Sequence, residues 1–392
     1  MSRRIAILTG IPAPYREPVF ANLARRPGID LHVFYCADGH GNVAWKPEEA
    51  ERLEYPRTFV ANLTPKRFRR LPFLGYANLA LKGELERFAP DYMIVYGYNQ
   101  LAHWLAFAHC RRHGTPFALR SDSNALVDGS ATWRSAVRRS LLRRLVKRAS
   151  GFLAVGSANR DYWKSYGATD EQIFSAPYAV DNARIATMAG AKVPDPEGRT
   201  RFLYAGRLIP RKGVDLLMES FNRLADRNAT LTIIGDGPER ERLQAMQSPE
   251  AAARTLWTGK ITNAETLRYY GRADVFTLPA RYEPWGLVVN EAMAAGCPVI
   301  AERKCGAALD LIEDRRSGRV LETMSADSLF DAMREYCDDP ALAAAHGAAA
   351  QRRVQAWNFD RTVDGFMTAI GAETSPSMID PISLVMAGVS HA

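Results

Sequence analysis

The segment RYEPWGLVVNEAMAAGCPVIA, residues 281–301, sets two carboxylates, Glu283 and Glu291, into an otherwise largely apolar run. Pro284 and Gly286 follow the first acid closely, and Gly296 and Pro298 close the segment. Two acids in such a run have three uses: surface decoration, the acid pair of a glycoside hydrolase, or grips for a polar ligand. Upstream, RFLYAGRLIPRKGVDLL carries Arg207 and Lys212 in a strand-to-helix turn. Cations there can hold a diphosphate, aided by the unpaired amides of the following helix. The turn lacks the G-x-x-x-x-G-K-[ST] spacing of a P-loop, so a solvated loop in an Arg-rich chain is the plain alternative. Gly235-Asp236-Gly237-Pro238, with Glu239 behind it, is a further turn that starts a helix.

These turns need strands to hold them. Short apolar or β-branched runs predict strands at Ile5–Thr9, Leu31–Tyr35, Tyr92–Tyr96, Phe117–Leu119 and Phe152–Val155, then at Arg201–Ala205, Leu231–Ile234, Val275–Leu278 and Pro298–Ala301. Amphipathic stretches at Gln100–Arg112, Val214–Ala225 and Leu287–Ala295 lie between them. Such alternation implies an α/β chain of two doubly wound, Rossmann-like domains with parallel sheets. Ligands in these sheets sit at the carboxyl ends of the strands, in the cleft between the two domains. The Pro- and Gly-containing segment 189–200 predicts the linker. It divides a first domain, 1–188, from a second, 201–356, followed by a helix at 357–370 and a tail at 371–392. In this frame Glu283 precedes a helix that opens at Pro284–Gly286, and Glu291 lies less than two turns inside it. The amides of Gly286, Leu287 and Val288 fall between them. Carboxylate, amides and carboxylate in series match the hydroxyls, diphosphate and ribose of a nucleotide sugar, since ionised oxygens accept charge-assisted hydrogen bonds.

With 392 residues, 47% of them apolar and 24% charged, the chain has the composition of a globular protein. Its five cysteines show no C-x-x-C spacing, which argues against a disulfide framework or zinc site and for a reducing compartment. No run approaches the roughly 20 apolar residues that cross a bilayer. Residues 1–183 hold 26 Lys and Arg against 16 Asp and Glu, while the rest hold 25 against 27, so the first half is the one that meets something anionic. No nucleic-acid-binding motif accompanies this charge, and no nucleic-acid partner is expected. WRSAVRRSLLRRLVKRAS, 133–150, has seven basic residues between Arg134 and Arg148 and no acid. Val137, Leu141, Leu142, Leu145 and Val146 gather on one side of its helical wheel. With TPKRFRRLPFLGY, 64–76, and its Phe68, Leu71 and Phe73, it reads either as a solvated helix face or as a peripheral contact with an anionic membrane.

EPWGLVVNEAMAAGCPVIA, GRLIPRKG and GDGPERERL together resemble the donor domain of the family 4 glycosyltransferases of the GT-B fold, with Glu283 to Glu291 as the E-x7-E element of that family. The resemblance covers nearly all of 200–370 and implies a retaining, metal-independent hexosyl transfer from a UDP- or GDP-sugar. Arg207 and Lys212, beside Gly206, would bind the diphosphate, Glu283 the transferred sugar, Glu291 the ribose, and the turn at Lys260–Ile261 would lie near the base. Trp285 stands in the donor loop where Phe is frequent in the family. VQAWNFDRTVDGF resembles final helices that cross back onto the first domain. The first half matches more loosely. LTGIPAPYREPVFANLA resembles the first strand and loop of bacterial sugar-polymer members, with Gly10 approaching sugar and phosphate. TPFALRSDS ends where relatives often carry a cleft histidine; here Asp122 aligns with it and Arg120 is the near alternative, while a helix cap or a pair with Arg120 is the plain reading of Asp122. Tyr15, Arg16, Asn99 and Arg120 are placed on the acceptor side. The implied acceptor is a lipid-linked or polysaccharide intermediate at the cytoplasmic side of a membrane. A nucleotide-sugar-binding module without transfer, and a transferase for a soluble small molecule, are the alternatives. No D-x-D metal motif is apparent.

Overall fold

A computed structural model describes residues 2–40, 43–44, 54–65, 68, 73–126, 133–224 and 226–371. The first sheet contains β1 (Arg3–Thr9), β2 (Ile29–Tyr35), β3 (Arg57–Phe59), β4 (Tyr92–Tyr96), β5 (Phe117–Arg120), β6 (Gly151–Ala154) and β7 (Ile173–Ser175). Its spatial order is β3-β2-β1-β4-β5-β6-β7, parallel throughout. The second contains β8 (Thr200–Ala205), β9 (Ala229–Ile234), β10 (Thr255–Gly259), β11 (Val275–Leu278), β12 (Val299–Glu302) and β13 (Gly318–Leu321), in the order β10-β9-β8-β11-β12-β13 and again parallel. In each sheet the order reverses beside the first strand, which opens a crevice at the carboxyl ends of β1 and β4 and of β8 and β11.

The strands read as near-continuous apolar runs because both of their faces are covered. Ala6, Leu8 and Phe34 enter one core of the first sheet, while Ile5, Ile7, Val33 and Tyr35 enter the other. The second sheet repeats this, with Phe202, Tyr204, Leu231 and Ile233 on one side and Leu203, Ala205 and Ile234 on the other. The core on that second side also takes in Val155, Tyr178 and Val180, so one apolar cluster spans both units. Strands β3, β7, β10 and β13 were not expected from the sequence. Their burial is mixed, and an edge or half-solvated strand lacks the unbroken apolar run that marks a central one.

Asp181 caps the helix Asn182–Ala189 by accepting from the Arg184 amide at 2.9 Å, and Asn182 donates to the Val354 and Trp357 carbonyls at 3.1 and 3.2 Å. The segment expected as a linker runs along the second unit, where the Lys192 amine reaches the Tyr270 carbonyl at 2.9 Å. The helix Phe359–Ala369 lies against the first sheet, packing Val363, Phe366 and Met367 beside Phe20, Ala118 and Leu153. Residues 372–392, most of the expected tail, lie outside the described residues. All five cysteines are free, and four of them are buried.

Candidate active site

Loops after β8, β9 and β11 converge at one end of the second sheet. Gly235, at φ +129°, lies so close to the loop after β8 that an added Cβ would sit 1.9 Å from the Gly206 carbonyl oxygen. Only glycine permits that contact, which seats the Gly-Asp-Gly turn directly against Gly206. Arg207 follows, exposed, and its guanidinium has no acceptor among the described residues. Lys212 ends the short 3-10 turn Pro210–Lys212, and its Nζ donates to Glu283 Oε2 at 2.5 Å. Arg211 Nη1 approaches the same oxygen at 3.3 Å and donates to the Tyr282 carbonyl at 2.7 Å.

Glu283 is held from its backbone as well. Its amide donates to the Lys304 carbonyl and its carbonyl accepts from the Gly306 amide, both at 3.1 Å. Although it lies in a loop, its side chain is only 13% exposed, with Lys212 folded over it. Gly286, at φ +95°, is the N-cap of the helix Leu287–Ala294 and supplies no side-chain cap. Val289 is the first amide to reach the Gly286 carbonyl, so Leu287 and Val288, both half-buried, open the helix without intrahelical acceptors. Between them Glu283, Lys212 and this helix start make a charged, amide-lined cradle.

Trp285 corrects the sequence reading. It is buried, donates from Nε1 to Asn290 Oδ1 at 3.0 Å and packs on Tyr178, so it joins the two units instead of facing the cradle. Glu291 accepts from the Tyr270 hydroxyl at 3.1 Å. Burial pushes its carboxyl from 4.5 up to about 7, against the opposing effect of the Tyr270 hydrogen bond. Lys260 is exposed and Ile261 half-buried, at the turn into the helix Asn263–Arg272 that carries Tyr270.

The raised Glu291 gives a first expected outcome. Between pH 4.5 and 7 the folded chain keeps a proton at this carboxyl that the unfolded chain has lost, so stability falls as pH rises through that window. Glu291→Gln removes the charge and keeps an acceptor for Tyr270. The variant is therefore more stable than wild type at pH 8, by about 3 kcal/mol at most, and the advantage fades toward pH 4.5. Melting temperatures of the two proteins across this range check it; a constant offset at every pH would contradict it.

The first sheet supplies the opposite wall. Gly10 follows β1, and its carbonyl accepts from the Ala37 amide at 2.9 Å. Tyr15 and Arg16 lie together, with Arg16 Nη2 donating to the Tyr15 hydroxyl at 2.8 Å. Asn99 and Asp122 are exposed in the loops after β4 and β5. Arg120 does not belong on the acceptor surface where the sequence placed it. It is 2% exposed, donates from Nη1 to the Ala176 carbonyl at 2.6 Å and lies over the rings of Tyr96, Tyr178 and Phe366. Those rings come from three distant segments, so its burial has no local sequence signal.

Two contacts that the sequence did not reveal join the walls. Asn124 Nδ2 donates to the Pro284 carbonyl at 2.9 Å, and the Tyr282 hydroxyl donates to Asn124 Oδ1 at 3.1 Å. The Asp122 loop is thereby tied to the Glu283 loop. Deeper in the interface Asp310 accepts from the Ser157 amide at 2.8 Å and from the Ser157 hydroxyl, and burial pushes its carboxyl up to about 6. Tyr282 had one cue, its place next to Glu283; Asn124 and Asp310 had none. Among the described residues no three His, Cys, Asp or Glu side chains cluster as metal ligands.

Two family models match, one to each half of the chain: "Glycosyltransferase Family 4" over residues 20–184 and "Glycosyl transferases group 1" over residues 190–353. The chain belongs to the family 4 glycosyltransferases. Its two facing sheets are the GT-B architecture of that family. A similar curated relative is the GDP-mannose-dependent alpha-(1-6)-phosphatidylinositol monomannoside mannosyltransferase of Mycolicibacterium smegmatis, 31% identical over 55% of this chain and 60% of the relative. The chain thus spans about 60% of that relative's length. Among solved structures, sucrose-phosphate synthase from Thermosynechococcus elongatus superposes with a TM-score of 0.71 at 20% identity, over 92% of this chain and 96% of that one. Anabaena Alr3699/HepE in complex with UDP and glucose gives 0.68 at 18%, over 94% and 99%.

Proposed function

We propose that the cleft transfers a hexose from a UDP- or GDP-sugar to a hydroxyl of a glycan or lipid-linked acceptor, with retention of configuration and without a metal ion. The carrying observation is the Lys212–Glu283 pair, set at a helix start and tied through Pro284 and Asn124 to the opposite wall. These two charges satisfy each other. A bound donor gives each its own partner, sugar hydroxyls to Glu283 and diphosphate to Lys212, Arg207 and the amides of Gly286, Leu287 and Val288. Glu291 accepts from the ribose hydroxyls, and the Lys260–Ile261 turn lies beside the base. As the anomeric C–O bond breaks, negative charge grows on the departing diphosphate, where fixed cations and amides are most effective. The acceptor oxygen forms its bond on the face the diphosphate leaves, and its proton passes to a diphosphate oxygen. Gly10, Tyr15, Arg16, Asn99 and Asp122 line the side from which the acceptor comes. NMR of the transferred sugar, formed with EDTA present, tests this: the anomeric configuration of the donor is kept, and an inverted product or a strict metal requirement would overturn it.

The relative's acceptor is a phosphatidylinositol mannoside by name, and a membrane-borne acceptor suits the basic helix Trp133–Val146. Leu142, Leu145 and Val146 of that helix are buried, whereas Val137 and Leu141 are 51% and 45% exposed among Arg138, Arg139, Arg143 and Arg144. The apolar side expected from the wheel is therefore split, with two residues left to solvent. Phe68, Phe73 and Leu74 are exposed too, while Leu71 lies outside the described residues. None of the described helices is long and apolar enough to cross a membrane. The exposed arginines and apolar side chains support a peripheral position at a cytoplasmic membrane face, each Lys or Arg near an anionic leaflet contributing on the order of 1 kcal/mol. The protein then sediments with anionic but not zwitterionic vesicles at low salt, and high salt releases it. Neutralising the four arginines lowers sedimentation without changing nucleotide affinity; no sedimentation with anionic vesicles would leave them a solvated face.

A further inference from the structure

Among the described residues no carboxylate forms an ion pair with Arg16. Arg16 closes the loop after β1 at the N-cap of the helix Glu17–Ala24. Its Nη1 donates to Thr9 Oγ1 at 2.7 Å, while Nε and Nη2 donate to the Tyr15 hydroxyl at 3.2 and 2.8 Å. The guanidinium lies 5.1 Å from the centre of the Tyr15 ring and 5.2 Å from that of Tyr96. A guanidinium has five N–H bonds, so among the described residues one on each terminal nitrogen is left without an acceptor. The neighbouring acid is committed elsewhere: Glu17 accepts from the Ala13 amide at 2.9 Å, from the Tyr35 hydroxyl at 2.8 Å and from the Tyr55 hydroxyl. A second acid whose charge reaches this group of tyrosines is Asp122, exposed on its own loop.

Arg120 repeats the pattern one layer deeper. It lies across Tyr96 and Tyr178, its Nε is buried without an acceptor, and its one hydrogen bond goes to a backbone carbonyl. Among the described residues neither Arg16 nor Arg120 takes part in an ion pair, although the surface carries many. Holding two largely buried cations beside one tyrosine without a counter-ion costs stability. The fold does so where β1 and β4 end, on the wall that meets the second domain through the Tyr15, Tyr178 and Trp285 rings.

We propose that Arg16 is the oxyanion-binding residue of the acceptor subsite, so that the acceptor carries a phosphate or carboxylate group beside the hydroxyl that is glycosylated. This rests on the glycosyltransfer reading of the cleft. The donor diphosphate has its own cations in Arg207 and Lys212 on the second domain, which leaves Arg16 for a charge that the acceptor brings. The free N–H bonds on its two terminal nitrogens suit an oxyanion, to which a guanidinium bonds in bidentate fashion. Arg120 stays behind it, adding positive potential without contact.

Calorimetric titration tests this on the full chain, first saturated with UDP or GDP and then titrated with hexyl phosphate, hexanoate and the neutral hexyl glucoside. Wild type binds at least one of the two anions more tightly than the glucoside, and the better of them names the oxyanion. Arg16→Gln weakens that anion roughly tenfold or more, the scale of a charge-assisted hydrogen bond, and leaves UDP and GDP affinity unchanged. Arg16→Lys keeps the charge without the fork and loses less; it also serves should the Gln variant fail to fold. Equal anion affinity in the variants, no anion binding by wild type, or a parallel loss of UDP and GDP affinity would overturn the assignment, the last by making the donor's own diphosphate the ligand. Should neither UDP nor GDP bind wild type, the glycosyltransfer reading is what fails, and the anion titrations on nucleotide-free protein still decide the role of Arg16.

Discussion

Glu283→Gln lowers kcat/KM for sugar transfer by a factor on the order of 10²–10³, the usual cost of losing one charged group positioned for the transition state. The amide keeps the size of the side chain and still offers Lys212 an oxygen, so the loop does not collapse. What it loses is the anion that accepts the sugar's hydroxyls by charge-assisted bonds. Some stability goes with it, because Lys212, 15% exposed, has lost its counter-charge. The melting temperature falls by a few degrees, as about 1–2 kcal/mol would produce in a chain of this size. Alanine is a poorer probe, since it would leave Lys212 with neither charge nor acceptor. Steady-state kinetics with the authentic donor, run beside a melting curve, check the pair of effects. Near-wild-type turnover would exclude Glu283 as the sugar grip.

Lys212→Ala weakens binding of a nucleoside diphosphate and of the intact nucleotide sugar on the order of 10²-fold, and of the bare nucleoside hardly at all. Two effects add in this variant. The diphosphate loses a cation, and Glu283 keeps its negative charge with Arg211 alone beside it, at 3.3 Å, where the ligand's own charge must enter. Arg207→Ala has only the first effect and costs roughly tenfold. Because Arg207 is exposed and has no acceptor among the described residues, its removal leaves the melting temperature unchanged. Titrations of both variants with nucleoside, nucleoside diphosphate and nucleotide sugar separate the cases. An equal loss of nucleoside affinity would make these residues structural.

The places of Glu283 and Glu291 were legible because their spacing is set locally. Pro284 and Gly286 fix where the helix Leu287–Ala294 starts, and that start places Glu283 before it and Glu291 within it whatever the rest of the chain does. Central strands were legible for a similar reason, since burial on both faces leaves an unbroken apolar run, as in Ile5–Leu8. What the sequence misplaced depends on distant partners. Arg120 is drawn inward by aromatic rings from β4, from the turn at Tyr178 and from the final helix. Trp285, one residue after Pro284, is turned under the loop by Asn290 and Tyr178. The Asn124–Pro284 bond joins residues 160 apart. No local pattern announces such a contact, yet it ties the Asp122 loop to the Glu283 loop across the cleft.

Release of nucleoside diphosphate from UDP-, GDP- and ADP-sugars, measured with EDTA present for wild type beside Glu283→Gln, bears most directly on whether this cleft carries out metal-independent sugar transfer. Wild type releases the diphosphate from at least one of these donors, slowly to water and faster with a glycan or lipid-linked acceptor, and the variant is slower on the order of 10²-fold or more. Release from none of them, or release by Glu283→Gln at the wild-type rate, would contradict it.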